Sequence, residues 1–185
     1  MKEYRVAEIK TQTDDLQLTG IPIVYDTPTI INAPFGAYKE VIQRGALDDA
    51  DLTDVSLYIN HDAKRIPLAR TPNTMKLNTG SAGLEMVAVL PDTEEGRSVH
   101  TAVKRGDLRG MSFAFTVPSD GSHYDAKTNT RTITKIKKVY ECSVVSVPAY
   151  PQTSVEARSQ IEEMNNEERQ QARIMLNKLK QKEIN

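Results

Sequence analysis

The chain has 185 residues, 38% of them hydrophobic, which suits one domain of ordinary size with an appendage and leaves little room for a second full domain. Its 24 basic and 25 acidic side chains sum to a formal charge of −1, so no global field draws it to nucleic acid or to an anionic membrane. One cysteine, Cys142, and three scattered histidines argue against an internal disulfide and a zinc-type ligand cluster. With no signal-peptide core after Met1 and no apolar run near the roughly 20 residues of a membrane span, the expectation is a soluble, non-exported protein in a reducing cytoplasm, without metal or cofactor.

In chain order, residues 16–25 show period-two hydrophobicity rich in β-branched residues, and Pro22 places this strand near an edge or a bulge. Residues 55–60 alternate Val55, Leu57 and Ile59 against Ser56, Tyr58 and Asn60, so that His61 and Asp62 fall where the strand ends. A further strand is expected over 84–90. Asp92 with Glu95 then offers a capping box, and Gly106 after a basic last turn offers a left-handed stop, which predicts a helix between them with a narrow stripe of Val99, Ala102 and Val103.

Residues 111–117 alternate Met111, Phe113, Phe115 and Val117 with the small Ser112, Ala114 and Thr116. A turn-rich stretch predicts a long hairpin leading into a buried strand over 139–147. Residues 159–185 lack aromatics, Gly and Pro and carry acids early and bases late, as a polar helix does. The thin stripe of Ala172, Met175, Leu176 and Leu179 is too little to fold alone but enough to dock on a partner or on the body.

A hydrolase without a metal cluster usually needs an imidazole. His100 lies off the expected helix stripe and His123 in a loop, which makes both surface residues, whereas His61 sits at a strand end where rigid scaffolds hold catalytic groups. Taken alone, His61 could equally be a satisfied polar residue beside Asp62. Ser112 is a hydroxyl in a run built for burial, either a nucleophile or a serine bonded to nearby backbone; its surroundings do not spell G-x-S-x-G. Glu141 interrupts an apolar strand, as an edge charge or as a carboxylate meeting a cation, and Cys142 points the other way as core filling.

Three blocks together resemble the tailed-phage prohead protease family, whose fold is related to the herpesvirus capsid-maturation protease. They are Asn60-His61-Asp62 followed by Pro67-Leu68-Ala69-Arg70-Thr71, then Gly106-Asp107-Leu108-Arg109-Gly110-Met111-Ser112-Phe113-Ala114-Phe115, then Glu141-Cys142-Ser143-Val144-Val145-Ser146-Val147-Pro148-Ala149-Tyr150. The resemblance implies an α+β, mainly β fold, a small partly closed β-barrel surrounded by helices, with a C-terminal polar helix. It divides the chain into a protease domain over 1–158 and a helical tail over 159–185 that is autocleaved or docks.

Carried over position by position, the resemblance implies Ser112 as nucleophile, His61 as general base and Glu141 as the group that orients the imidazole. The implied substrates are the major capsid protein or its scaffolding segment, and the protease itself, cut in the host cytoplasm inside the assembling prohead, with a possible homo-oligomer. The herpesvirus relatives carry an arginine in the loop after the third triad member, but residues 148–153 contain none, which leaves Ala149 and Tyr150 amides or Arg70 as oxyanion donors to consider. The rival readings are an inactive capsid scaffold of the same fold and a thiol hydrolase using Cys142.

Overall fold

A computed structural model describes residues 3–11, 16–33, 36–108 and 110–146. The described residues form β1 (Glu3–Thr11), β2 (Gln17–Val24), β3 (Thr29–Ala33), β4 (Gly36–Ile42), β5 (Ser56–Ile59), β6 (Ala69–Arg70), β7 (Met75–Thr79), β8 (Gly83–Val89), α1 (Glu94–Arg105), β9 (Gly110–Thr116), β10 (Ser122–Asp125), β11 (Thr130–Ile133) and β12 (Lys138–Val145). Eight strands run in the order β6-β5-β12-β9-β1-β2-β8-β7, and the other four in the order β10-β11-β4-β3. The eight-stranded array is two sheets sharing β1: Glu3–Glu8 pair with β9, and Ile9–Thr11 pair with β2.

Its outermost strands, β6 and β7, are joined by only four residues, Thr71 to Thr74, with the Thr74 N–H bonded to the Arg70 carbonyl at 3.0 Å, so the array curls until its ends lie close. No ladder closes it into a barrel. Among the described residues there is one α-helix, not a surrounding set, and the tail helix expected over 159–185 lies outside them.

The large residues on one face of β9 make the core. Met111, Phe113 and Phe115 are 0–1% exposed and pack in one cluster with Leu57, Leu18, Leu84, Met86, Val139, Cys142 and Val144. Burying each such phenylalanine is worth roughly 1.5–3 kcal/mol. The Phe113 and Phe115 rings stack with centroids 5.2 Å apart. The disturbance expected at Pro22 is a register shift between Gly20 and Ile23 in the pairing of β2 with β8.

The helix begins one residue later than its sequence suggests. Thr93 is the N-cap, its hydroxyl accepting the Gly96 N–H at 3.2 Å, while Asp92 pairs with Arg97 and Glu95 pairs with Arg65. Gly96 seats this first turn on Pro91, where a Cβ would lie 2.1 Å from the Pro91 carbonyl oxygen. Gly106 ends the helix at φ 81°, as its position implies. The buried stripe is Gly96, Val99, His100 and Val103, so the expectation that His100 is solvated is wrong. The side chain-free Gly96 turns the docked face toward His100, whose Nε2 has no hydrogen-bond partner among the described residues. His123, on β10, is exposed as expected.

Candidate active site

The site is built on the face of the sheet away from the large core residues. On β9, alternation puts Ser112 and Ala114 there, and both are buried, Ser112 being 3% exposed. On β12, simple alternation from Val139 fails. The pairing with β9 shifts between Val139 and Glu141, so Tyr140 is an extra, bulged residue. The bulge lets Val139 face Phe115 and Cys142 face Phe113 on the core side, while Glu141 lies opposite Ala114 and Ser143 opposite Ser112 on the site side. One row across the sheet thus reads Tyr58, Ser143, Ser112 on β5, β12 and β9, and the next reads Ser56, Glu141, Ala114.

His61 follows β5 by two residues, at a left-handed turn. Asn60 has φ 49° and His61 φ 60°, conformations that cost a non-glycine residue about 1–3 kcal/mol unless neighbours hold them. Here β12 holds both. The Asn60 N–H donates to the Val144 carbonyl at 2.9 Å, the Ser146 N–H donates to Asn60 Oδ1 at 3.3 Å, and the His61 N–H donates to Ser143 Oγ at 3.2 Å. Turned this way, the imidazole meets Glu141, with Nδ1 in direct contact with Oε1. The His61 side chain is 21% exposed and Glu141 6%, so the pair has one open side.

With Nδ1–H donated to the carboxylate, Nε2 is the basic nitrogen of the ring. The arrangement therefore supplies a hydroxyl, an imidazole within the same few residues of sheet and a buried carboxylate that orients the ring. All three residues singled out in the sequence lie on this face. Asn60 and Ser143, which hold the His61 turn, do not stand out as site residues in the sequence. Asn tolerates the left-handed region better than most non-glycine residues, and the spacing of Ser143 two after Glu141 puts them on one face of a strand, so both carried a signal.

Other candidates fall away. Cys142 is fully buried, and burial first, then the Glu141 charge, pushes its thiol up to about 12, so it stays protonated at neutral pH. Arg70 lies opposite Ser56, but its guanidinium is engaged by Asp54 through Nε at 2.6 Å and a terminal nitrogen at 2.9 Å. Ala149 and Tyr150 lie outside the described residues. Three residues past His61 begins a groove of about 1140 Å³ lined by Lys64, Ile66, Leu68, Val89 and Leu90, and bridged by the Arg65–Glu95 ion pair at 2.6 Å. Ile66 is 85% exposed there and Val89 52%, an apolar surface open to solvent beside the site loop.

A family model described as caudovirus prohead serine protease matches residues 2–167. Among solved structures, the bacteriophage T4 capsid assembly protease, gp21, is similar with a TM-score of 0.49 and 10% sequence identity, covering 80% of this chain and 99% of that one. No curated protein sequence matches the chain.

Proposed function

Since this chain belongs to the caudovirus prohead serine protease family, we propose that it is a serine endopeptidase acting through Ser112, His61 and Glu141. The observation that carries the proposal is the contact of His61 Nδ1 with Glu141 on the sheet face where Ser112 lies one strand away. In the first half-reaction His61 Nε2 takes the Ser112 proton, Ser112 Oγ bonds to the peptide carbonyl carbon, and the imidazolium gives its proton to the amine as the C–N bond breaks. In the second, His61 deprotonates water, the hydroxide attacks the ester, and Ser112 leaves with its proton restored. Glu141 holds the ring and stabilises its cation throughout, without taking the proton.

The substrates are the major capsid protein or its scaffolding segment, and this chain itself, cut within the assembling prohead. Residues 1–158 are the protease domain, with the curled sheet as a partly closed barrel, and 159–185 form a tail that docks or is removed. No cofactor takes part.

The test is co-expression with the cognate major capsid protein, wild type beside Ser112→Ala, with intact-mass analysis of both proteins. Truncation with wild type alone is the expected result. Equal truncation with Ser112→Ala sinks the assignment, and no truncation in either while particles still assemble favours an inactive scaffold.

A further inference from the structure

We propose that Ser143 is a positioning residue of this site, a single hydroxyl that holds His61 with its oxygen and Ser112 with its proton. The inference rests on the reading of His61 and Ser112 as base and nucleophile. Ser143 is fully buried, and a buried hydroxyl is costly unless it finds hydrogen-bond partners. Its oxygen accepts the His61 backbone N–H at 3.2 Å. That amide belongs to the second of two left-handed residues, Asn60 and His61, and the turn is tied to β12 at Ser143 and Val144 and to Ser146 just past its end. Of these ties, the one to His61 itself runs through the Ser143 side chain, so replacing Ser143 removes it without touching the turn residues.

A hydroxyl that accepts still has a proton to place. Directly opposite Ser143 on β9 is Ser112, on the same face, and facing residues of an antiparallel pair bring Cβ atoms to about 4.5–5.5 Å, close enough for serine hydroxyls to bond. A proton donated by Ser143 to Ser112 Oγ leaves the Ser112 proton as the one directed at the imidazole. Glu141, two residues earlier, fixes the imidazole ring from the same strand face. One strand thus sets the ring of the base, the backbone of the base and the side-chain angle of the nucleophile. A serine kept only for packing would lose a single oxygen on replacement by alanine and change nothing at His61.

The test uses the full chain and a fluorophosphonate probe, which reads Ser112 nucleophilicity without a known substrate. A ¹⁵N-histidine spectrum runs beside it, with the His61 signals identified by their loss in His61→Ala. In Ser143→Ala, labelling of Ser112 should slow about 10- to 100-fold, the cost of a small misplacement of reacting groups, while the His61 amide and ring signals shift and those of His123 stay. Ser143→Thr, which keeps the hydroxyl, should recover most of the rate; if its extra methyl prevents folding, Ser143→Cys should fall between alanine and wild type. Wild-type labelling and unchanged His61 signals in Ser143→Ala overturn the proposal. A wild-type chain that the probe does not label counts against the serine protease reading itself, and the positioning role is then decided by the His61 signals alone: unmoved signals in Ser143→Ala reject it, shifted ones support it.

Discussion

Two buried carboxylates in this molecule meet a nitrogen-bearing side chain in opposite ways. In the four-stranded sheet, Glu40 on β4 and Arg131 on β11 form an ion pair at 3.1 Å, each side chain 2% exposed, with Ser122 Oγ accepting from Arg131 at 3.4 Å. On the site face, Glu141 meets His61, which keeps an open side. A guanidinium never gives up its proton in a protein, so Glu40–Arg131 is a fixed charge arrangement sealed from water. An imidazole can exchange its proton, so Glu141–His61 can change charge in the course of a reaction. The same physical problem, a carboxylate out of water, is solved once with a partner whose charge is fixed and once with a partner that can exchange its proton.

The comparison breaks first at the site. Ser112→Ala and His61→Ala should each lower cleavage of the capsid substrate by at least about 10⁴-fold, with the fold intact, as read by intact mass and a thermal melt. Comparable activity in either variant would make the site pair as inert as the sealed one. Glu141→Gln should cost less, about 10²- to 10⁴-fold in kcat, because an amide still fills the space but no longer stabilises the imidazolium.

At the sealed pair the expectation reverses. Arg131→Met should destabilise the fold by about 3–5 kcal/mol by stranding the Glu40 charge, with the activity per folded molecule unchanged; the double variant Arg131→Met with Glu40→Leu should recover most of that loss in urea titrations. A double variant as unstable as the single one would show that the pair is more than a satisfied charge.

The smallest effect lies among exposed pairs. Lys138 holds the Asp51 carboxyl below its usual range, Arg70 does so for Asp54, Lys135 for Asp120, and the Lys127 backbone N–H for Asp125. Each carboxylate binds its proton less tightly folded than unfolded, so its contribution is present above about pH 4 and is lost as pH falls through the lowered folded values. Melting temperature should therefore drop on acidification below that point, and added salt should flatten the dependence, since these groups face solvent.

Much of the site face was legible because its signal is local. The alternation of large and small residues in β9 places Ser112 correctly, and a strand ending at Ile59 places His61. What stayed hidden depends on partners far along the chain. The bulge at Tyr140 is visible only once β12 is laid against β9, because sequence alternation alone puts Val139 and Glu141 on one face. The left-handed pair at Asn60 and His61 exists because β12 holds it, and His100 is buried because Gly96 lets the helix lie on Pro91. β1 mixes charges with few apolar residues, and β6 is two residues long, so neither carries a periodic pattern of its own.

The position of β9 between β1 and β12 sets a timetable. Ser112 has Val6 opposite it on one side and Ser143 on the other, so the proposed nucleophile is flanked by the first and the last strands described. Pairings of such sequence separation form late and slowly, and a chain growing from its N-terminus lacks Glu141 and Ser143 until β12 has been made. A nascent chain consequently carries Ser112 and His61 without the strand that holds them together, and the proposed active site is assembled only with completion of the sheet.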